Sequence, residues 1–248
     1  ATLGFGGLSL ADINAGYKGL IGLLVGLDPT TDMRIANSIW FRKPWVPNPA
    51  FVASVDDAFD AGAHPLDFAL PTAPDSINRW ASAATAGRIP KVLDGISADH
   101  VMFLLNAIYF KADWNVPFHG DMQGDFTRLD GSQISVPAMS RRTRTPYFAG
   151  DGFEALALDY KGDRARMVVL VPDAGTFEKF EVSLNAARLA EIMSRLEAVD
   201  LQLTMPKFEF KARFALRDAL VSLGMEDAFE AGIADFSGMD GTRDLYIQ

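Results

Sequence analysis

The sequence predicts an α+β fold, with helices packed on large mixed or antiparallel β-sheets. Three observations predict it. The run Val101–Phe110 is apolar apart from one amide, Asn106, as a strand buried on both faces would be. Before it, apolar residues recur at helical spacing around residues 10–24, 51–59 and 74–86. After Phe126, short runs of β-branched, aromatic and aliphatic residues alternate with Gly-containing turns. No linker, repeat or low-complexity tract divides the 248 residues, so residues 1–248 read as a single domain.

In order along the chain, Ser9-Leu10-Ala11-Asp12 reads as a capping-box variant opening a helix. Ile13, Tyr17, Leu20 and Leu24 form its apolar face, and Asp28-Pro29-Thr30 breaks it. Met33, Ile35, Ile39 and Phe41 alternate as a strand. Pro44, Pro47 and Pro49 mark a connection to a second helix carrying Phe51, Val55, Ala58 and Phe59. Leu66-Asp67-Phe68 is a short strand candidate. Pro74 suits the start of a third helix, where its missing N–H costs nothing. Ile77, Trp80, Ala81 and Ala84 form its buried face, and Gly87 ends it. Beyond the apolar run, strands are expected at Phe126–Leu129, Ile134–Met139, Glu154–Tyr160 and Met167–Val171. Turns fall at Asp130-Gly131 and Lys161-Gly162-Asp163. A helix around Asn185–Glu197 shows Leu189, Ile192, Met193 and Leu196 on one stripe. Val199, Leu201, Leu203 and Met205 alternate as a long strand that Phe208 and Phe210 continue past Pro206. Leu216, Ala219, Leu220 and Leu223 line the last helix, which Gly224 stops.

Composition excludes more than it names. A net charge of −9 argues against nucleic-acid binding, which calls for a basic surface. No apolar run approaches the roughly 20 residues of a membrane span. The chain has no Cys, which removes disulfides, thiolate nucleophiles and Cys-based zinc sites together. His64, His100 and His119 show no metal-ligand spacing and read as local turn or surface residues. No Gly-x-Ser-x-Gly elbow is present, and Gly4-Phe5-Gly6-Gly7 lacks the context of a phosphate loop. Arg141-Arg142-Thr143-Arg144 reads as a solvated hairpin before an exosite for a polyanion or a protease. No catalytic, cofactor-binding or metal site is therefore assigned. No signal peptide is visible at Ala1, but the start has no Met, so the compartment stays open.

Asn106-Ala107-Ile108-Tyr109-Phe110-Lys111-Ala112-Asp113-Trp114 resembles the serpin family's Asn-x-x-x-Phe-Lys-x-x-Trp central strand. Other blocks resemble the same family in order. They are Arg34-Ile35-Ala36-Asn37-Ser38-Ile39-Trp40, Ile77-Asn78-Arg79-Trp80 with Thr85-Ala86-Gly87-Arg88-Ile89, and Leu170-Val171-Pro172-Asp173. Met205-Pro206-Lys207-Phe208, Leu223-Gly224-Met225 and Ala234-Asp235-Phe236-Ser237-Gly238 follow. The chain resembles a microbial-type serpin short at both ends, without the first helices and the reactive-centre loop. Ala112 stands where the family usually has Gly.

The resemblance implies a function. Serpins trap serine or cysteine proteases: the protease cleaves an exposed loop, which then inserts into the large sheet. By resemblance, Val101–Phe110 is one wall of the insertion slot, Asn106 belongs to the shutter beneath it, and Trp114 and Lys207 lie near its top. Asn78, Trp80, Thr85 and Gly87 belong to the helix that crosses the sheet. Beside these stand plainer readings: a satisfied amide at Asn106, packing at Trp114 and a solvated charge at Lys207, whose family partner is a hinge Glu. The chain ends at Leu245-Tyr246-Ile247-Gln248, before the hinge and bait loop of the family. The expected partner of the parent is a serine or cysteine protease, with a C-terminal peptide completing the fold; no nucleic acid, membrane or cofactor is expected. A non-inhibitory serpin, acting as carrier, chaperone or storage protein, is the alternative, and the family leans to an extracellular setting. Without a neighbour, the apolar strand would be an open sheet edge, so the isolated chain is expected to associate.

Overall fold

The computed structural model describes residues 4–212 and 214–248. Its helices are α1 (Leu10–Val25), α2 (Pro49–Phe59), α3 (Ala73–Ala84), α4 (Phe177–Ser183), α5 (Ala186–Ser194), α6 (Arg217–Ser222) and α7 (Ser237–Asp240). Its strands are β1 (Asp32–Arg42), β2 (Ala61–Leu66), β3 (Met102–Lys111), β4 (His119–Thr127), β5 (Gln133–Gly150), β6 (Phe153–Asp159), β7 (Arg166–Pro172) and β8 (Glu197–Pro206). The chain divides into two compact units. The first holds the residues up to Gly26, Asp32–Lys111 and the segment from Ala212; the second holds Leu27–Thr31 and Ala112–Lys211.

The first unit is built on a three-stranded mixed sheet ordered β2-β1-β3. Strand β1 runs parallel to β2 and antiparallel to β3. A parallel pair needs a crossover, and α2 supplies it. The expected capping box opens α1: the Ser9 hydroxyl accepts from Asp12 N–H and the Asp12 carboxylate accepts from Ser9 N–H. Tyr17 of α1 packs on Phe59 of α2 at 5.4 Å between rings, and Lys18 pairs with Asp57 at 2.6 Å. The predicted apolar face of α1 is only partly used, for Leu20 is 49% exposed. Helix α3 rests on β1 and β3 with Ile77 and Ala81 buried.

The second unit is an antiparallel sheet ordered β4-β5-β6-β7, with β8 on β5. The eighteen residues of β5 serve three partners in turn: β4, β8 and β6. One apolar cluster joins Phe153, Ala155, Phe180 and Ile192. Another joins Leu156, Leu158 and Met205, with Trp114 and Phe118 against it.

Four expectations are corrected. Val101–Phe110 is not buried on both faces: Ala107 is buried, while Leu104 and Ile108 are each 58% exposed. Period-two alternation sends these residues to opposite faces, and β3 is an edge strand with less cover than a central one. Leu66-Asp67-Phe68 is not a strand, because β2 ends at Leu66. Phe208 and Phe210 do not extend β8, which ends at Pro206; both rings are exposed, and no strand among the described residues pairs beyond that point. Arg141-Arg142-Thr143-Arg144 is not a hairpin but the middle of β5. Alternation buries Arg141 at 4% exposure and turns Arg144 outward to Asp200 at 3.2 Å, so the cluster is split between faces.

Candidate functional site

Asn106 sits at the centre of β3, directly opposite Asn37 of β1. Its Nδ2–H donates to Asn37 Oδ1 at 2.8 Å, and Asn37 Nδ2–H donates to the carbonyl of Phe59 at 2.7 Å. Phe59 is the last residue of α2, before Asp60 caps the helix in the left-handed region. A terminal helix carbonyl lacks an intrahelical donor, and Asn37 provides one. The two amides thus tie the middle of β3, through β1, to the end of α2. Asn37 was quoted in the sequence only as part of a matching block, and its contact with Asn106 is the site's main addition. Beside this relay, Phe51, Val55, Phe59, Ile39 and Leu104 line an apolar pocket of about 230 Å³.

The α3 residues are fasteners. Asn78 Oδ1 accepts from Val92 N–H at 2.8 Å and Leu93 N–H at 3.0 Å, and its Nδ2–H donates to Leu93 carbonyl at 2.9 Å. Thr85, 1% exposed, donates to Ala81 carbonyl and accepts from Ile89 N–H. Gly87 takes a φ of +80°, a conformation suited to glycine, and its N–H bonds Ser82 carbonyl. Trp80 is half-buried. Together these residues fold the connector after α3 back along the helix.

Trp114 and Lys207 belong to the second unit. Trp114 bridges to Tyr160 and stacks on its ring at 4.7 Å. Phe118 meets it edge-on at 5.8 Å, and the Arg141 guanidinium lies 4.5 Å from the centre of the Phe118 ring. Arg141 also donates to Val116 carbonyl, while its Nε has no hydrogen-bond partner among the described residues. Burial pushes the Arg141 guanidinium below its usual pKa, opposed by the charge of Asp159, and burial raises the Tyr160 hydroxyl. A cation seated on aromatic faces in this way is held by the ring quadrupole. The solvated-charge reading of Lys207 is corrected: its ammonium pairs with Asp121, whose carboxyl is held below the usual range by that bond, and its N–H bonds Pro137 carbonyl. Sequence reading missed Asp121 because an exposed aspartate 86 residues away carries no local signal.

The histidines have local roles. His64 packs on Trp40 at 4.6 Å, and His100 Nδ1 accepts from Ser97 N–H at 3.0 Å. No group of carboxylates and imidazoles suited to a metal occurs among the described residues. No helix among them is long and apolar enough to cross a membrane.

A family model described as Serpin (serine protease inhibitor) matches residues 1–248. This chain belongs to the serpin family. A leukocyte elastase inhibitor of Xenopus tropicalis is 31% identical over 228 residues, covering 87% of this chain and 60% of that protein. An uncharacterized serpin-like protein of Thermococcus kodakarensis is 31% identical over 219 residues, covering 87% of this chain and 51% of that protein. Human thyroxine-binding globulin with bound thyroxine superposes with a TM-score of 0.89 over 100% of this chain and 68% of its own, at 24% identity. Emu ovalbumin does so with 0.86 over 93% and 62%, at 22%. At such identities the likeness shows the serpin fold. The chain spans about half to two thirds of the length of the curated relatives it matches. As a family, serpins are protease inhibitors rather than enzymes.

Proposed function

We propose that the protein containing this chain, with residues 1–248 as one serpin-like domain, is a suicide-type inhibitor of serine or cysteine endopeptidases. The observation that carries the reading is strand β3. It pairs with β1 along one edge, and among the described residues no strand takes the other. That edge is where the family mechanism lodges the cleaved loop. In this reading Asn106, with Asn37, is the shutter that must yield as strands part. Trp114 and Lys207 belong to the upper end of the slot, and α3, fastened by Asn78 and Thr85, is the strap across the sheet. The reactive-centre loop itself would lie outside this chain, and a C-terminal peptide would complete the sheet.

The test begins with intact mass under denaturing conditions, where this chain alone gives 27.0 kDa. It is then incubated with elastase-, trypsin-, chymotrypsin- and papain-like proteases and scored for complexes that survive denaturation. The chain alone is expected to form none, and a protein that continues through a bait loop is expected to form one. Cleavage of that longer protein without complex formation would favour the non-inhibitory alternative. A stable acyl complex with the 248-residue chain would overturn the placing of the loop outside it.

A further inference from the structure

We infer that the free edge of β3 is a self-association surface, through which two copies of this chain pair antiparallel with Asn106 on the two-fold axis. Pairing with β1 uses half of the backbone N–H and C=O groups of Met102–Lys111. The alternate groups point from the other edge, and no strand among the described residues receives them. Edge strands normally carry defences: interior charges, Pro or bulges. Here the register with β1 is unbroken, there is no Pro, and the one charge is Lys111 at the strand's end.

The strand is its own complement. A two-fold axis normal to the sheet keeps each residue on its own face, so Leu104 comes opposite Ile108 of the second copy, and Asn106 opposite its twin. Leu104 and Ile108 are each 58% exposed and cover one another in this register. Moving the axis to Ala107 would set Asn106 against Ile108, burying an amide on an aliphatic chain. A lone amide in an apolar strand thus selects the register, as a single Asn does in a coiled coil. The two Lys111 residues fall at opposite ends of the ladder, about 34 Å apart at strand spacing, so they do not repel across the joint. The net charge of −9 on each chain does oppose approach, so pairing tightens as salt rises.

The absence of native Cys makes the register directly testable. Leu104→Cys and Ile108→Cys are prepared separately, mixed and air-oxidised. The mixture is expected to give a disulfide-linked dimer in about tenfold excess over either variant alone, since only opposed residues come within disulfide reach. In sedimentation the wild-type chain forms a dimer that strengthens with salt. Ile108→Lys disturbs two symmetry-related pairs and raises the dissociation constant about tenfold or more. Val182→Lys, at an 88% exposed site on α4, leaves it unchanged. Circular dichroism confirms that each variant folds. A monomer up to about 100 µM, open-ended oligomers, or equal cross-linking in the unmixed samples would each overturn the proposal.

Discussion

Replacing Asn78 by Ala should release the connector that follows α3. Asn78 makes hydrogen bonds to Val92 N–H, Leu93 N–H and Leu93 carbonyl, all between 2.8 and 3.0 Å. A net hydrogen bond is worth about 1 kcal/mol. Val92 and Leu93 are half-buried, so water restores part of what is lost. The expected cost is about 2–3 kcal/mol, or a fall in melting temperature of about 5–10 °C for a chain of this size. Asn78→Asp separates geometry from mere presence of a polar group. It keeps both acceptor contacts and loses only the donor to Leu93 carbonyl, so it should cost about 1 kcal/mol. Denaturant titration gives the ranking, and hydrogen exchange gives the place: the Val92 and Leu93 amides should lose protection in Asn78→Ala and keep most of it in Asn78→Asp. An Asn78→Ala change below about 0.5 kcal/mol, or an Asp variant as damaged as the Ala variant, would refute the fastening argument.

Two glycines should respond in opposite directions. At Gly162, φ is +91° and an added Cβ would sit 2.0 Å from Asp28 Oδ2, so Gly162→Ala should cost about 2 kcal/mol or more. Gly16 lies within α1 with open space around its Cβ position, and Gly16→Ala should stabilise by about 0.5–1 kcal/mol; thermal unfolding of the pair checks both signs. The Asp28 carboxyl is held below its usual range by hydrogen bonds from the Thr30 hydroxyl and N–H. A depressed carboxyl adds stability above its unfolded pKa and loses it as pH falls through the folded value. Asp28→Asn should therefore be less stable at pH 7 and flatten the acid limb below about pH 4, seen in melts across pH. Asn37→Leu removes a donor and an acceptor from the amide relay and should cost about 2 kcal/mol, against about 1 kcal/mol for Asn106→Leu, measured by denaturant unfolding.

Much of the fold was legible because local chemistry decided it. Ser9 and Asp12 announced the start of α1 by residue type alone, and Pro74 marked the first turn of α3. The alternation in Val199–Met205 marked β8. The failures share a cause: alternation and apolar runs say how a segment is patterned, not what lies beside it. Val101–Phe110 reads as central, yet one edge of β3 is unpaired among the described residues. Phe208 and Phe210 read as more strand, yet no pairing partner makes them one. Arg141 to Arg144 read as solvated because four polar residues in a row suggest a loop. The burial of Arg141 depends on a carbonyl, Val116, and two rings, Trp114 and Phe118, that only tertiary structure brings to it.

The candidate site shows where a sequence can go further than it was taken. Asn106 stood out as one amide in an apolar run, and the physical demand was a partner. Asn37 lies 69 residues away, and no periodicity links the two. Their flanks do: Asn37 has Ile35 and Ile39 two residues to either side, and Asn106 has Leu104 and Ile108. Two strands with an amide framed by aliphatic residues on the same face can pair in few registers. Only the register that sets Asn against Asn gives both amides a partner while aliphatic meets aliphatic. That is the observed pairing, with Ile35 opposite Ile108 and Ile39 opposite Leu104. What the flanks could not supply is the second link, from Asn37 to Phe59 carbonyl, because it depends on where α2 ends against the sheet. A polar residue in an apolar strand is therefore a statement about register first, and its coupling to a neighbouring helix follows only once the layers are packed.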